Sequence, residues 1–369
     1  MIYLDSAATS LLKPLAVEQA VVRAMRTMAS PGRGGHAPAM RAAETALDCR
    51  EAAAALFHVP DPERVVFTMN ATHGLNLAIR SLVRPGGTVV ISGFEHNAVT
   101  RPLHALGARL RVAGRELFDR EAVLRDFARL LPGADAAICT QVSNVFGFVL
   151  PIDEIAALCK QYYVPLIVDA SQAAGVLDVD LERWGASFAA MPGHKGLFGP
   201  QGTGLLLCGQ KGTPLLYGGS GSESLSQTMP EELPDRLEAG THNVCGIAGL
   251  LAGLNFVREK GTGAILAHER RLLVCMTEEL RDSPLELFTG EDQCGVLSLR
   301  CPGLDGETLA QRLAEHGVCV RSGLHCAPLA HESAGTLATG TVRFSFSPFN
   351  TEEQVRRACL LLKKLAAGS

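Results

Sequence analysis

One lysine of the sequence lies among glycines and apolar residues, without an acidic neighbour. Lys195 follows Gly193-His194 and precedes Gly196-Leu197. Such surroundings disfavour the charged ammonium, so we expect the pKa of this amine to be lowered towards neutrality. A partly neutral amine can attack a carbonyl carbon and hold it as a Schiff base. The alternative for this residue alone is an ordinary surface lysine with a solvated amine.

A carboxylate ends an apolar run earlier in the chain. Asp169 follows Val168 at the end of a predicted strand. A carboxylate in apolar surroundings needs a cationic partner to offset its desolvation. A protonated pyridine nitrogen would be such a partner, and the pairing would keep the ring an electron sink. The alternative is a helix N-cap, because a helix could begin at Ala170.

Four further loop residues suit a phosphorylated aromatic ring. His96 could stack on such a ring or transfer a proton near neutral pH, although a lone loop histidine is more often incidental. Thr72 precedes backbone amides at a predicted helix start, an arrangement that binds phosphate. Gln172 and Asn144 carry neutral donors that could bind a ring oxygen.

An arginine near the end of the chain could bind a carboxylate. Alternation along residues 342–347 places Arg343 on one face with Ser345 and Ser347, and the apolar side chains on the other. From that face the guanidinium is free to bind a carboxylate through two parallel hydrogen bonds. A surface salt bridge is the alternative.

One of the eleven cysteines differs in its context from the others. Cys326 lies in a predicted loop beside Gly323, His325 and Pro328, where positive neighbours could enrich the reactive thiolate. The other ten fall in predicted elements or apolar segments and are expected to be small core residues. The segment from Cys326 to Arg343 is short and glycine-containing, which predicts a mobile segment that carries the thiol.

The polar loops follow strands of one predicted sheet. Strands are predicted at residues 65–69, 88–92, 109–112, 136–140, 166–169, 188–191 and 204–208, with amphipathic helices between most of them. This alternation predicts an α/β fold with a mostly parallel sheet of about seven strands. Five polar loops, at 70–74, 93–97, 143–147, 169–172 and 193–196, then meet at one edge of the sheet, where ligands bind.

A smaller α+β domain is predicted after residue 240. Two long helices, at 246–260 and 265–280, precede strands at 296–301, 318–321 and 341–346. A last helix is expected to begin at Asn350, with Glu353 as its capping partner. We assign residues 12–240 to a large cofactor-binding domain, and residues 1–11 and 241–369 to the smaller one.

Composition excludes several classes of protein. The net charge of −4 gives no basis for binding nucleic acid. No apolar run reaches the roughly 18 residues that a membrane helix needs, and residues 1–5 do not resemble a signal peptide. An odd cysteine count without Cys-x-x-Cys pairs argues against a disulfide framework or a zinc site and favours the reducing cytoplasm. Glycine-rich nicotinamide and ATP motifs are absent as well.

Four segments together resemble one family of enzymes. They are residues 168–172 (Val-Asp-Ala-Ser-Gln), 193–196 (Gly-His-Lys-Gly), 236–241 (Arg-Leu-Glu-Ala-Gly-Thr) and 321–326 (Arg-Ser-Gly-Leu-His-Cys). The chain resembles the class V aminotransferase-fold cysteine desulfurases and selenocysteine lyases, which are pyridoxal-phosphate enzymes of fold type I. The likeness covers nearly the whole chain, from residues 3–9 to the closing helix.

The resemblance implies a role for each residue at the cofactor. Lys195 would be the Schiff-base lysine, Asp169 the partner of the pyridine nitrogen, and His96 the ring stacked on the cofactor. The remaining contacts implied are Thr72, His73 and His194 at the phosphate, Thr241 at the phosphate of the neighbouring subunit in a homodimer, and Gln172 with Asn144 at the phenolic oxygen. Two positions depart from the family: Pro192 replaces a usual hydroxyl residue, and His73 replaces a usual Glu or Gln and would keep only a backbone contact.

The resemblance also implies the reaction. Arg343 would anchor the α-carboxylate of L-cysteine, with Asn144 near the substrate, and Cys326 would take the sulfur as a persulfide for delivery to an acceptor. The short segment after Cys326 is similar to a subgroup with a less mobile cysteine loop, in which a partner protein often accepts the sulfur. The alternatives are a selenocysteine or cysteine C–S lyase, a class V transaminase, and a non-catalytic sulfur-relay scaffold.

Overall fold

The computed structural model describes residues 1–31 and 34–367. Its strands are β1 (Ile2–Tyr3), β2 (Val65–Thr68), β3 (Thr88–Ser92), β4 (Arg109–Ala113), β5 (Ala136–Thr140), β6 (Leu166–Asp169), β7 (Phe188–Pro192), β8 (Gly204–Cys208), β9 (Glu286–Phe288), β10 (Val296–Arg300), β11 (Val318–Cys319), β12 (Arg321–Gly323) and β13 (Thr341–Ser345). Its helices are α1 (Leu15–Thr27), α2 (Ala37–Leu56), α3 (Ala71–Leu82), α4 (Asn97–Ala105), α5 (Arg120–Leu130), α6 (Ile152–Gln161), α7 (Leu181–Trp184), α8 (Val244–Lys260), α9 (Thr262–Leu280), α10 (Gly306–Glu315), α11 (Pro328–Ser333) and α12 (Glu352–Ala367).

The central sheet has seven strands in the order β2-β8-β7-β6-β5-β3-β4. Strands β3 to β7 are parallel to one another, whereas β8 is antiparallel to both β2 and β7. The predicted seven-stranded, mostly parallel α/β fold is confirmed. Strands β5 and β6 are buried at every residue, because helices cover both faces, and this is why they appear in the sequence as unbroken apolar runs.

A second, antiparallel sheet has the order β12-β13-β10-β9. Its apolar face packs with α9, α10 and α12 in a separate core, to which Val342 and Phe344 of β13 contribute. Strand β1 pairs with β11 in parallel, so the first residues of the chain lie beside this sheet. Helix α8 instead buries Ile247 and Leu250 in the core of the central sheet. The domain limits at residues 11–12 and 240–241 stay a prediction.

The elements differ from the predicted ones at a few positions. The predicted strand 318–321 is divided, because β11 pairs with β1 whereas β12 pairs with β13. The last helix begins at Glu352, and its cap is Thr351, which exchanges hydrogen bonds of 3.3 Å with Gln354. The predicted cap at Asn350 was therefore wrong, because the Asn350 amide donates to the carbonyl of Tyr3 instead. Among residues 1–31 and 34–367, no helix combines the length and apolar composition needed to cross a membrane.

Candidate active site

A cavity lies at the carboxyl edge of the central sheet. Of the residues predicted for the site, its lining includes Thr72, His96, Asn144, Asp169, Gln172, His194 and Lys195. These residues come from loops that follow β2, β3, β5, β6 and β7, as the parallel topology requires. His73 and Thr241 line a second cavity.

Lys195 follows β7 and carries the amine predicted to react. The pKa of this amine is lowered to about 8, chiefly by loss of hydration; Asp169 opposes this effect, and the positive charges of Arg343 and Arg321 add to it. A substantial fraction of the amine is therefore neutral and nucleophilic near pH 8. The alternative of an ordinary, solvated surface lysine does not fit this position.

Asp169 ends β6 and is 2% exposed. One of its oxygens accepts a hydrogen bond of 2.9 Å from the N–H of Ser171. The following residues form turns rather than a helix, so the alternative role as a helix N-cap does not apply. Within residues 1–31 and 34–367, no cationic side chain forms a salt bridge with Asp169. A buried carboxylate in this position is suited to a cation that the chain itself does not supply.

His96 caps helix α4 at the same cavity. Its Nδ1 accepts a hydrogen bond of 3.0 Å from the N–H of Ala98, which leaves the ring proton on Nε2. Desolvation lowers the pKa of His96, and Lys195 adds to this effect, although Asp169 opposes it. The imidazole is therefore neutral and held in one orientation, as a ring stacked on a cofactor would need to be.

The phosphate contacts are only partly as predicted. Helix α3 begins at the cavity, with Thr72 in its first turn and Asn70 as its cap. The N–H of His73 donates 2.9 Å to Oδ1 of Asn70, and its backbone contact with phosphate stays a prediction. His194 is neutral, because burial and the nearby Lys195 lower its pKa to about 4, and its Nδ1 lies 3.0 Å from Oγ1 of Thr9.

The two amides predicted for the ring oxygen also make contacts within the protein. Gln172 donates to the carbonyl of Ala7 at 2.9 Å. Asn144 donates to the carbonyl of His325 at 2.8 Å, and its own carbonyl accepts a bond of 2.9 Å from Arg343. Asn144 therefore connects the cavity, the arginine of the second sheet and the loop that carries Cys326.

Arg343 is 2% exposed, so it is not a surface salt bridge. Its Nη2 donates 2.9 Å to Oδ1 of Asp5, and its Nη1 donates to Asn144. The prediction that its guanidinium is wholly free was wrong, because Asp5 occupies one side. The buried Nε nevertheless lacks a hydrogen-bond partner. An unpaired buried donor of this kind is costly unless a ligand satisfies it.

Cys326 is exposed, whereas eight of the other cysteines are buried and two are intermediate. Its carbonyl accepts a hydrogen bond of 2.7 Å from the N–H of Asn97, which follows His96. Both Cys326 and His325 have left-handed backbones, with φ of 57° and 48°. Two successive residues in this strained region indicate that the surrounding contacts fix the loop.

The segment after Cys326 contains a short helix with buried contacts. This helix is α11, whose His331 is completely buried and lies 2.7 Å from Oγ1 of Thr336. The rings of His325 and His331 stack at 5.8 Å, and burial lowers their pKa values to about 2 and 4. The mobility of this segment stays a prediction.

Three charged residues of the site were not predicted. Asp5 follows β1 and forms salt bridges with both Arg343 and Arg321. Glu95 is completely buried and accepts a hydrogen bond of 2.8 Å from the N–H of Thr140. Glu95 directly precedes the predicted His96, and Arg321 is the first residue of the segment 321–326 that ends at Cys326. No local pattern pairs Asp5 with an arginine at the other end of the chain.

The sequence pattern of the aminotransferase class-V family matches residues 2–358. The chain therefore belongs to this family, and the resemblance stated from the sequence is confirmed. Proteins of this family are pyridoxal-phosphate enzymes, and cysteine desulfurases are among the proteins similar to this chain in sequence and fold.

Two comparisons define these relatives further. A probable cysteine desulfurase from Methanothermobacter thermautotrophicus is 32% identical over 99% of this chain and 94% of its own length, and one from Xylella fastidiosa strain 9a5c is 33% identical over 99% and 91%. The apo structure of a cysteine desulfurase from Thermococcus onnurineus has a TM-score of 0.92 at 30% identity, covering 100% of this chain and 95% of its own. The structure of the cysteine desulfurase CsdA from Escherichia coli has a TM-score of 0.84 at 27% identity, covering 99% of this chain and 94% of its own.

The described residues fit pyridoxal phosphate. Asp169 is a buried carboxylate without a cationic partner, which a pyridinium would supply. Lys195 offers an amine with a lowered pKa at the same cavity, His96 a neutral ring, and Thr72 the first turn of a helix. Pro192 also lines the cavity and has no hydroxyl to offer a phosphate.

Proposed function

We propose that this protein is a pyridoxal-phosphate-dependent cysteine desulfurase, which converts L-cysteine to L-alanine and takes the sulfur on Cys326 as a persulfide. The observation that carries the proposal is the attachment of the Cys326 loop to two loops of the cavity. The carbonyl of Cys326 accepts from Asn97, and the carbonyl of His325 accepts from Asn144. An exposed thiol is thereby held beside the cavity that Lys195 lines.

Arg343 binds the substrate carboxylate in this proposal. Its unpaired Nε supplies a donor inside the protein, and a carboxylate is the ligand that a guanidinium pairs with most strongly. Fixing the carboxylate at one end and the amino group at the cofactor orients the Cα–H bond towards Lys195.

Lys195 moves the proton at Cα. An amine with a pKa of about 8 can accept this proton and return it within one turnover near neutral pH. The bound cofactor supplies the electron sink that makes the Cα proton acidic. Asp169 keeps the pyridine nitrogen protonated through a charge-assisted hydrogen bond.

Cys326 completes the reaction as a nucleophile. Its thiolate attacks the substrate sulfur, so that an S–S bond forms as the C–S bond breaks. The electron pair of the broken bond stays with the carbon skeleton, which is protonated and leaves as L-alanine. The persulfide on Cys326 retains the sulfur until an acceptor thiol or a reductant removes it.

We further propose a homodimer, a sulfur-acceptor protein as partner and a cytoplasmic location. Thr241 does not line the cavity of Lys195 but lines the second cavity, together with Phe67, Leu216 and Leu237. A second subunit would cover these apolar side chains and receive Thr241 at its phosphate. Free cysteines throughout the chain agree with a reducing compartment.

Product analysis tests the proposed function. Purified protein loaded with pyridoxal phosphate is mixed with a reductant and either L-cysteine or, separately, L-selenocysteine, and alanine, pyruvate and sulfide are quantified. Equal amounts of alanine and sulfide are expected from L-cysteine. Pyruvate as the main product indicates a C–S lyase, alanine formed only from L-selenocysteine indicates a selenocysteine lyase, and no product from either amino acid contradicts an enzymatic role.

A further inference from the structure

A circuit of hydrogen bonds joins the loop that carries the thiol to a loop of the cavity. Nε2 of His325 lies 3.2 Å from Oγ1 of Thr341, and Oγ1 of Thr341 donates 3.1 Å to Oγ of Ser298. Oγ of Ser298 donates 2.6 Å to the carbonyl of Val145. Asn144, the residue before Val145, closes the circuit because its side chain donates 2.8 Å to the carbonyl of His325.

The side chains of this circuit lie inside the protein. Ser298, Thr341, His325 and Asn144 are all buried. Thr341 belongs to β13 and pairs with Gly323 of β12, two positions before His325, whereas Ser298 belongs to the neighbouring strand β10. The second sheet therefore connects the two loops through hydroxyl groups shielded from water, where a lost hydrogen bond leaves a polar group without a partner.

The order of donors along the circuit defines the tautomer of His325. The single hydroxyl proton of Ser298 goes to a carbonyl, which can only accept, so Ser298 accepts from Thr341. Thr341 has then given away its own proton and accepts from Nε2 of His325. Burial and the nearby Arg343 keep the imidazole neutral by lowering its pKa to about 2. Since Nδ1 is buried without a partner, the bond to Thr341 is the only hydrogen bond of this ring within residues 1–31 and 34–367.

The backbone of the thiol loop depends on such support. His325 and Cys326 both have left-handed backbones, with φ of 48° and 57°. Residues other than glycine rarely adopt this conformation, and two in succession persist only where the surrounding contacts fix them. The loop is held at Cys326 through the N–H of Asn97, and at His325 through its carbonyl and its ring.

We propose that His325 and Thr341 are positioning residues for the attack of Cys326 on the substrate sulfur. The hydrogen bond between them holds the thiol loop in its strained conformation and so keeps the thiol aligned with the cavity. Neither residue lines the cavity of Lys195, so they act through the loop and not on the cofactor. The inference rests on the proposed function, because it assumes that Cys326 takes the sulfur.

The test removes the hydroxyl of Thr341 with little change in size. Thr341→Val breaks the circuit, whereas Thr341→Ser keeps the hydroxyl. Thr339→Val is the matched control, because Thr339 is exposed and lies outside the circuit. Single-turnover rates of alanine formation are measured with cofactor-loaded protein in excess over L-cysteine. Thr341→Val should lower this rate about tenfold or more, whereas Thr341→Ser and Thr339→Val should keep it within about threefold of wild type.

Two further measurements separate positioning from a general loss of structure. The dissociation constant of L-alanine, which contains no sulfur, is obtained from the visible absorption of the cofactor-loaded protein. It should change less than about twofold in Thr341→Val, because only the step at sulfur needs the thiol. Hydrogen exchange at the N–H of Asn97 should be faster in cofactor-free Thr341→Val than in wild type, since this amide is protected by its bond to Cys326.

An unchanged single-turnover rate in Thr341→Val would overturn the inference, as would a Thr341→Ser variant that is equally slow. A loss of L-alanine binding as large as the loss of rate would overturn it too, because it would show a general structural role. If Thr341→Val does not fold, Ser298→Ala breaks the same circuit and is held to the same expected and contrary results. Wild type that forms no alanine refutes the desulfurase itself, whereas active wild type with equally active variants refutes only the positioning role.

Discussion

The N–H of Asn97 donates a hydrogen bond of 2.7 Å to the carbonyl of Cys326. Because Asn97 begins the helix that His96 caps, this single bond ties the thiol loop of the second sheet to the cofactor loop of the first. The side chain of Asn144 makes a second tie to the carbonyl of His325. The thiol is therefore held near the cavity before any substrate binds, which reduces the entropic cost of its attack.

The lowered pKa of Lys195 predicts how fast the protein takes up its cofactor. Only the neutral amine reacts with an aldehyde, so the rate of uptake should rise with pH and level off above about pH 8. The reaction of free Nα-acetyl-lysine with the same aldehyde should continue to accelerate above pH 8, because its amine has an ordinary pKa near 10.5. The rate is measured by absorption after pyridoxal phosphate is added to the cofactor-free protein. A protein rate that follows the free amine would contradict the lowered pKa.

Replacing Arg343 with lysine should weaken substrate binding more than turnover. A lysine cannot supply the Nε donor while it also contacts Asp5 and Asn144, so KM for L-cysteine should rise at least about tenfold. Alanine formation at several cysteine concentrations gives both constants. Arg300→Lys is the matched control, because Arg300 pairs with Glu286 on the same sheet away from the cavity. Equal effects of the two substitutions would argue against Arg343 as the anchor.

Glu95 makes the stability of the protein depend on pH. Desolvation raises the pKa of Glu95 to about 8, and Asp169 adds to this, although hydrogen bonds from Ser92 and Thr140 oppose it. A raised pKa favours the protonated folded state, so this contribution is complete below about pH 4.5 and is lost as the pH rises through 8. Relative to Glu95→Gln, the wild-type free energy of unfolding should fall by roughly 1.4 kcal/mol per pH unit within that window.

The measurement for Glu95 is urea unfolding of wild type and Glu95→Gln between pH 5 and 8.5. Glutamine resembles the protonated carboxyl and does not titrate, so the difference between the two proteins isolates this one group. A difference that stays constant across the range would show that Glu95 is ionised in the folded protein.

The buried ion pair of Arg50 and Glu238 should be important for stability. The side chains are 10% and 3% exposed, their closest contact is 2.7 Å, and His242 also contacts the carboxylate. Glu238→Gln leaves a buried guanidinium without its counter-charge, which should cost about 3–5 kcal/mol. Urea unfolding checks this value, with Glu286→Gln at an exposed pair as the control, expected to cost under about 1 kcal/mol. A similar loss of unfolding free energy in both variants would contradict the greater importance of the buried pair.

Much of this fold was predictable from the sequence, because parallel strands covered on both faces are continuous apolar runs. The same topology predicted that Thr72, His96, Asp169 and Lys195 would meet, since each follows a strand that ends at one edge of the sheet. The contact between Asp5 and Arg343 was not predictable in this way. It joins residues 338 positions apart, and neither side chain carries a local pattern that reveals its partner.

One error arose where a side chain has two competing partners. Asn350 suited a helix cap, but its side-chain amide donates a hydrogen bond to the carbonyl of Tyr3, in the first segment of the chain. A tertiary contact there outweighs a local preference.

The most direct test of the account is the fate of the sulfur in the Cys326→Ala variant. Wild type, Cys326→Ala and the control Cys319→Ala are loaded with cofactor and mixed with L-cysteine, and alanine, sulfide and the mass of the intact protein are recorded. Wild type and Cys319→Ala should gain one sulfur atom, removable by a reductant, and should form equal alanine and sulfide. Cys326→Ala should keep the visible absorption of bound cofactor, gain no sulfur and release neither product. Sulfide release by Cys326→Ala at the wild-type rate would contradict the account.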